Sequence, residues 1–260
     1  MPPDGPRFIS IASGKGGVGK TWLAITLSHA LVRAGLRVLL LDADLGLANV
    51  DVQLGLTPTT DLGSIVSGQA NVADAITRHS ATGLDVLAGR SGSGMLSDLS
   101  PEHLEHLLTR VRSETTEYDA ILLDVSAGID RTVRRIAAWS DLVLVIATDE
   151  PTSLTDAYAL LKFLTFDQPD GNVKIVINQA VSAAAGQQTY ATLRRACMAF
   201  LHREPELAGV IRQDTKVRDA IRRQTSLLLR HPNSNAALDV EAMTRAAFLG
   251  SLLNRIKTAS

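Results

Sequence analysis

Residues 14–21 read Gly14-Lys15-Gly16-Gly17-Val18-Gly19-Lys20-Thr21 and match the pattern G-x-x-x-x-G-K-[ST]. A short apolar run at residues 8–12 precedes this stretch, and a helical pattern over residues 20–34 follows it. Glycines let successive backbone N–H groups turn inward around an anion, and the N-terminus of the helix adds partial positive charge. The sequence therefore predicts that residues 14–21 bind the phosphates of ATP or ADP, with Lys20 on the β- and γ-phosphates and the Thr21 hydroxyl on Mg²⁺.

Apolar runs typical of buried strands alternate with helical patterns along the rest of the chain. The further predicted strands cover residues 38–41, 84–87, 120–123, 142–147, 173–177 and 207–211. The further predicted helices cover residues 101–116, 130–139, 152–166, 187–201 and 235–257. Several strands are apolar at nearly every position, which is typical of strands covered by helices on both faces. We predict an α/β fold, a doubly wound and mostly parallel sheet flanked by helices, built as one domain over residues 1–260.

The composition is that of an ordinary globular protein. The chain has 260 residues, 45% of them hydrophobic, and a net charge of −1, so no strong basic field attracts nucleic acid or anionic lipid. Cys197 is the only cysteine, which excludes an internal disulfide and fits a reducing compartment. Residues 1–7 lack the apolar core of a signal peptide, and no apolar run has the length of a membrane span. We expect a cytoplasmic protein.

Acidic residues follow two of the predicted strands. Asp44 lies just past one strand end, and Asp124 ends another apolar run. Carboxylates at the carboxyl ends of strands beside a phosphate loop can hold hydrated Mg²⁺ and an attacking water. We therefore predict metal coordination through water for Asp124, and for Asp44 both a metal contact and catalytic orientation or deprotonation of the water. Asp42 is left open between a role in the site and a supporting hydrogen bond.

Lys15 is a second lysine in the loop, where a general phosphate-binding loop needs only Lys20. Its position predicts that it points away from its own γ-phosphate pocket and toward a facing surface. In this respect the loop resembles the deviant Walker A ATPases of the MinD, ParA and Get3 type. The resemblance implies that Lys15 is catalytic and reaches the nucleotide of the partner subunit in an ATP-bound homodimer. A cation placed in this way is worth on the order of 10³ to 10⁵ in rate.

Longer stretches resemble the FlhG/FleN branch of this family, which regulates the number and placement of flagella. They are LLDADLGLANVDVQLGL at residues 40–56, DEPTSLTDAYALLK at 149–162, INQA at 177–180, VRDAIRRQ at 217–224 and HPNS at 231–234. The resemblance covers residues 7–250 and implies a slow, dimerising ATPase. It also implies adenine contacts from Asn178, Gln213 and Asp214. The partners implied are an FlhF-type GTPase, a flagellar C-ring component or a transcription activator.

Four features depart from that branch or vary within it. Trp22 follows Thr21, and its indole either forms a wall of the nucleotide site or packs in the core. Ser126 stands where glycine or alanine is commoner. Arg212 replaces a usual proline before Gln213, which puts the base contacts of that turn in doubt. The N-terminal extension that some relatives use to stimulate their GTPase partner is expected to be missing.

The predicted C-terminal helix has two interpretations. Apolar residues share one of its faces: Leu249, Leu252, Leu253 and Ile256. The helix either packs on the sheet or attaches the dimer weakly to an anionic membrane, on the inner face of the cell membrane or at the cell pole.

A basic cluster precedes this helix in the sequence: Lys216, Arg218, Arg222, Arg223 and Arg230. We expect this cluster to be solvated or to face a partner, and we expect the same of Arg131, Arg134 and Arg135.

Three other functions of proteins with this fold compete with the flagellar switch. A ParA-type ATPase that binds DNA non-specifically is the main alternative, but the near-neutral charge argues against DNA binding. An iron–sulfur carrier needs several cysteine ligands, whereas Cys197 is the only cysteine in this chain. A tyrosine kinase of this fold would carry a tyrosine-rich tail, whereas Tyr118, Tyr158 and Tyr190 are scattered.

Overall fold

A computed structural model describes residues 7–44, 46–89 and 99–249. Its strands are β1 (Arg7–Ser13), β2 (Val38–Ala43), β3 (Ile76–His79), β4 (Leu84–Leu87), β5 (Ala120–Ala127), β6 (Leu142–Ala147), β7 (Val173–Ala180) and β8 (Glu206–Arg212). They form an eight-stranded sheet in the order β3-β4-β2-β5-β1-β6-β7-β8. Neighbouring strands pair in parallel, except that β3 and β4 are antiparallel. The predicted doubly wound, mostly parallel sheet is confirmed.

Helices cover both faces of this sheet. They are α1 (Lys20–Arg33), α2 (Val50–Leu54), α3 (Leu62–Val66), α4 (Val72–Ala75), α5 (Pro101–Glu114), α6 (Arg131–Ala138), α7 (Pro151–Asp167), α8 (Ala183–Leu201), α9 (Thr215–Arg222), α10 (Leu227–Arg230) and α11 (Asn235–Thr244). One apolar core packs α3 to α8 against one face, and a second packs α1, α2 and α9 to α11 against the other. Strands β2 and β6 are buried at every position, which explains why their sequences lack the alternation of half-exposed strands.

Side chains just before several helices fix where those helices begin. Ser182 accepts a hydrogen bond from the Ala185 N–H at the start of α8, and Asp130 accepts bonds from Thr132 and Val133 at the start of α6. These contacts satisfy N–H groups that have no partner within the first turn of a helix. Helix α8 therefore begins four residues earlier than the 187 predicted from apolar periodicity.

The centre of the sheet positions the site. β1 lies between β5 and β6, and because these strands run in parallel, their carboxyl ends meet at one edge. The loop of residues 14–19 leaves β1 at that edge and leads into α1. This is the edge at which open α/β sheets bind ligands.

The structure also contains elements that the sequence did not predict, namely strand β3 and the short helices α2, α3, α4, α9 and α10, and one predicted helix changes before its predicted end. The antiparallel strand β3 was not predicted, because its sequence, Ile-Thr-Arg-His, lacks an apolar run. The helix predicted for residues 235–257 is α-helical only as far as Thr244 and continues as a π-helix over Arg245–Leu249. Its remaining predicted residues, Leu252, Leu253 and Ile256 among them, lie outside the described residues. No helix in the described ranges has the length and apolarity that crossing a bilayer requires.

Candidate functional site

The loop of residues 14–19 packs closely against neighbouring backbone and side chains. A Cβ atom on Gly14 would lie 2.2 Å from the Asp156 carbonyl oxygen of α7. Gly19 has a φ of +94°, and a Cβ there would lie 2.5 Å from the Asn178 Nδ2. Only glycine satisfies both the close approach and the left-handed backbone at Gly19. The motif glycines thus allow the loop to sit between α7 and the end of β7.

The loop presents free hydrogen-bond donors. Within the described part of the chain, none of the amide N–H groups of residues 14–19 donates to another protein group. These groups precede α1, whose N-terminus carries partial positive charge. A ring of unpaired N–H donors at a helix N-terminus fits a phosphate, as the sequence predicted.

Lys20, Thr21 and Asp124 lie together beneath this loop. Burial raises the pKa of Asp124 to about 8, as does the nearby charge of Asp42, while the Thr21 side chain and Lys20 oppose the rise. Burial lowers the pKa of Lys20, and the negative charges of Asp124 and Asp44 raise it in part. Asp124 is 1% exposed, and its Oδ1 has no hydrogen-bond partner among the described residues. A buried carboxylate oxygen without a partner is costly, so this atom is suited to a bound cation or its water.

This group of side chains also fits Mg²⁺. Within the described residues, no cluster of three or more His, Cys, Asp or Glu side chains could hold a metal by itself. Mg²⁺ does not need such a cluster, because it keeps several waters and binds one or two carboxylates together with substrate phosphates. The predicted metal residues Thr21, Asp44 and Asp124 supply that kind of oxygen donor.

Asp42 holds the loop that carries Asp44. Its carboxylate accepts hydrogen bonds from the backbone N–H groups of Asp44, Asn49 and Val50, at 3.2, 2.8 and 2.9 Å. Burial raises the pKa of Asp42 to about 6, while the three backbone hydrogen bonds lower it. Asp44 is half-buried, and its Oδ1 accepts a bond from the Leu47 N–H at 3.1 Å. The structure thus shows supporting hydrogen bonds for Asp42, which is one of the two roles that the sequence left open.

Lys15 points to a different neighbour from Lys20. Its Nζ lies 2.5 Å from Glu150 Oε2 and 2.9 Å from Thr152 Oγ1, at the start of α7. The Lys15 side chain is 36% exposed and that of Glu150 is 62% exposed. The structure therefore directs the two loop lysines to different places, one next to the buried carboxylates and one at the surface.

The three residues predicted to contact adenine make other contacts. Asn178 is buried, and its Nδ2 donates to the Val18 carbonyl at 2.7 Å. Gln213 is exposed, and its N–H donates to the Ala180 carbonyl. The Asp214 carboxylate caps α9 through the Lys216 N–H and also accepts from the Ala236 N–H. Their contacts to the base stay predictions.

The three unusual residues lie in well-defined environments. The Trp22 side chain is 6% exposed within the core beneath α1, which is the environment of a packing residue. Ser126 is half-buried near the end of β5. The Arg212 N–H and guanidinium both bond to the Asp239 carboxylate of α11, at 2.8 to 2.9 Å. A proline at residue 212 could donate no such N–H bond.

The basic clusters are in part neutralised by acidic neighbours. Arg134 pairs with Asp167, and Arg230 pairs with Asp219. The remaining cations of the α9 cluster, Lys216, Arg218, Arg222 and Arg223, are exposed. This is the solvated or partner-facing surface that the sequence predicts.

Several residues of the site had no role assigned from the sequence. They are Ser13, Glu150, Thr152, Asp156 and Gln179, all of which contact the loop or its lysine. Glu150 and Thr152 follow β6, a direct neighbour of β1, so they lie at the ligand-binding edge of the sheet. The strand order would therefore have indicated them, had it been known.

Comparison with known proteins shows which proteins this chain resembles in sequence and fold. The family model described as the CobQ/CobB/MinD/ParA nucleotide binding domain matches residues 9–227. The chain is 36% identical to the antiactivator FleN of Pseudomonas aeruginosa, over 92% of this chain and 85% of that protein. It is 31% identical to the flagellum site-determining protein YlxH of Helicobacter pylori, over 72% of this chain and 63% of that protein. The septum site-determining protein MinD of Pyrococcus horikoshii, solved with Mg-ADP, superposes with a TM-score of 0.78 at 23% identity, over 95% of this chain and 98% of that one.

Proposed function

Because this chain belongs to the CobQ/CobB/MinD/ParA nucleotide-binding family, we propose that it is an ATP-driven switch that dimerises with ATP and regulates flagella. It is an ATPase of this family that uses ATP and Mg²⁺. The observation that carries the proposal is the divergence of the two loop lysines. Lys20 lies with Asp124 and Asp44, while Lys15 lies at the surface beside Glu150.

The loop and its buried neighbours bind the nucleotide. The unpaired N–H groups of residues 14–19 receive the phosphates, and Lys20 adds a positive charge. Thr21 and Asp124 would hold Mg²⁺, which neutralises charge on the phosphates when it is bound. A cation held there would favour the charged carboxylate form of Asp124.

Asp44 acts on the attacking water. Its carboxylate is carried by a loop that Asp42 fixes through three backbone hydrogen bonds. A carboxylate placed there orients water for attack on the γ-phosphorus and can accept its proton, giving ADP and phosphate.

Lys15 completes the site of the second subunit. In the single chain its ammonium is held by Glu150 and Thr152, so it does not serve its own nucleotide in this arrangement. In the proposed dimer, Lys15 leaves these partners and neutralises charge that develops on the transferred phosphoryl group of the partner's ATP. Hydrolysis then depends on dimerisation, which is the property of a switch.

Flagellar regulation is the biological role that the similarity to FleN and YlxH supports. We propose that the ATP-bound dimer engages a flagellar regulatory or assembly protein, either an FlhF-type GTPase, a C-ring component or a transcription activator. We further propose that it acts in the cytoplasm, at the inner face of the membrane or at the cell pole. Deleting the gene and counting flagella per cell tests this role. Unchanged number and placement would remove the role and leave the ATPase assignment standing.

The switch itself is tested by Lys15→Ala and Asp44→Ala in size-exclusion chromatography with light scattering and in ATPase assays. We expect Asp44→Ala to bind ATP and to remain dimeric, because hydrolysis no longer releases it. We expect Lys15→Ala to bind ATP as a monomer and to lose hydrolysis by about 10³-fold or more. Lys174→Ala is the matched control, since it also removes an ion pair, the one with Glu206, but at a distance from the loop. Undiminished hydrolysis by Lys15→Ala would refute the role of Lys15 across the dimer.

A further inference from the structure

Three side chains hold the outward-facing carbonyl groups of the phosphate loop. The Ser13 hydroxyl donates to the Lys15 carbonyl at 2.7 Å, and the Asn178 Nδ2 donates to the Val18 carbonyl at 2.7 Å. The Gln179 Nε2 donates to the Gly17 carbonyl at 3.4 Å. Side chains from outside the loop thus bind three of its carbonyl groups.

Because the peptide bond is planar, these contacts also fix the direction of the N–H groups on the phosphate-binding side of the loop. In a trans peptide the N–H of the next residue points opposite to the carbonyl. Holding the carbonyls of Lys15, Gly17 and Val18 outward therefore directs the N–H groups of Gly16, Val18 and Gly19 to the other side of the loop. Those N–H groups are among the donors that bind no other group in the described part of the chain.

Unusual backbone allows two successive residues of β7 to face the loop. In an extended strand, the side chains of Asn178 and Gln179 would point to opposite faces of the sheet. Gln179 instead has a φ of +58°, and the pairing of β7 with β8 shifts register between Ile177 and Ala180. A left-handed conformation is unfavourable for a residue other than glycine, and such strain concentrates at functional sites. Here it brings both amide side chains onto the same loop.

We infer that Asn178, Gln179 and Ser13 are positioning residues that set the phosphate loop in its binding shape before the nucleotide arrives. Because Asn178 is buried with its amide nitrogen on Val18, it acts on the phosphates through the loop rather than on the base alone. This inference rests on the proposed nucleotide site and extends it. It requires that loss of Asn178 lowers the affinity for every ligand that carries the triphosphate, whatever its base.

The test is Asn178→Ala, with affinities for ATP, GTP and inorganic tripolyphosphate measured by calorimetry in the presence of Mg²⁺. We expect all three affinities to fall together by about 10-fold, since a carbonyl loses its donor and the loop relaxes. Ser13→Ala and Gln179→Ala should act in the same direction, and they keep the test valid if Asn178→Ala does not fold. Gln168→Ala is the matched control, because its amide also donates to a backbone carbonyl, that of Ala138, away from the loop.

The pattern across ligands separates the possible outcomes. If Asn178→Ala loses affinity for ATP but keeps its affinity for tripolyphosphate, Asn178 acts only on the base and the inference is wrong. If unfolding midpoints fall while all affinities of the folded variants stay unchanged, the contacts are merely structural and the inference is also wrong. Failure of the unmodified protein to bind Mg-ATP would instead refute the proposed function.

Discussion

His29 is a buried histidine of α1, and its Nδ1 lies 2.6 Å from the Ser226 hydroxyl. Burial lowers the pKa of His29 from 6.5 to about 4, with smaller contributions from the charges of Arg33 and His79. The unfolded chain therefore takes up this proton at a higher pH than the folded protein does. As the pH falls through 6.5, the folded state loses stability, and the loss stops growing below about 4.

We expect His29→Gln to remove this pH dependence, because glutamine keeps a hydrogen-bonding group without a titrating one. Between pH 7.5 and 5, the unfolding free energy of the unmodified protein should fall relative to the variant by about 2 kcal/mol. Urea unfolding at both pH values measures the difference. The control is His106→Gln, on the exposed side of α5. Its unfolding free energy should fall between the two pH values as much as that of the unmodified protein. Parallel pH curves for the unmodified protein and His29→Gln would contradict the prediction.

Asp42 offers a second prediction about a single side chain. In Asp42→Asn, an NH₂ group replaces one carboxylate oxygen and cannot accept a hydrogen bond. The side chain therefore loses part of its bonding to the backbone N–H groups of Asp44, Asn49 and Val50. We expect faster hydrogen exchange at Asn49 and Val50, and a catalytic rate lower by about 10-fold with little change in ATP affinity. Asp141→Asn is the control, since Asp141 accepts the Phe8 N–H at the opposite edge of the sheet. Unchanged exchange at Asn49 would show that Asp42 does not fix the loop.

Gly186 shows how packing between elements can reverse a helix propensity. It lies inside α8, where alanine is ordinarily more favourable than glycine by about 1 kcal/mol. A Cβ on Gly186 would, however, lie 2.2 Å from Val210 Cγ1 of β8 and 3.1 Å from the Ala180 Cβ of β7. The close packing of α8 on the sheet therefore depends on the missing side chain.

We expect Gly186→Ala to lower the unfolding free energy by about 1–3 kcal/mol, because the new methyl group forces α8 away from β8. Urea unfolding measures the change. The double variant Gly186→Ala with Val210→Ala should recover part of the loss, since it removes the methyl groups that the new Cβ would meet. A more stable single variant would show that propensity outweighs packing at this position.

Sequence patterns identified the elements best where burial is complete on both faces. Strands β2 and β6 are buried at every position and apolar at nearly every one, so their patterns are strong. β3 was missed because its Ile-Thr-Arg-His sequence is only partly buried and pairs antiparallel with β4 at the edge of the sheet. The change of α11 to a π-helix at Arg245 left no signal in the apolar spacing.

For the site too, the sequence indicated residues with a local signal and missed residues whose contacts join distant parts of the chain. A motif or a strand end carries each of Lys20, Thr21 and Asp124, so the sequence pointed to them, and the structure brings the three side chains together. Glu150 and Gln179 could not be predicted, because their contacts with the loop join residues more than a hundred positions apart. Such contacts depend on strand order, which the sequence alone did not provide.

The candidate binding site depends on the whole sheet, because its parts come from distant segments. The loop follows β1, Asp42 lies in β2, Asp124 in β5, and the amides that hold the loop lie in β7. No segment by itself brings these groups together. A nucleotide should therefore bind the folded chain and not the unfolded one, and its binding free energy should add to the stability of the fold.

We expect Mg-ADP at 100 times its dissociation constant to raise the unfolding free energy by about 2.7 kcal/mol. Mg-ADP is the better ligand for this measurement because it is not hydrolysed during urea unfolding. EDTA should remove part of the gain, since no cation then links Asp124 to the phosphates. Lys20→Gln should abolish most of the gain, whereas Lys174→Ala, which breaks a surface ion pair, should keep it. An unfolding curve that Mg-ADP does not move at saturating concentration would mean that the loop and the carboxylates do not act as one site.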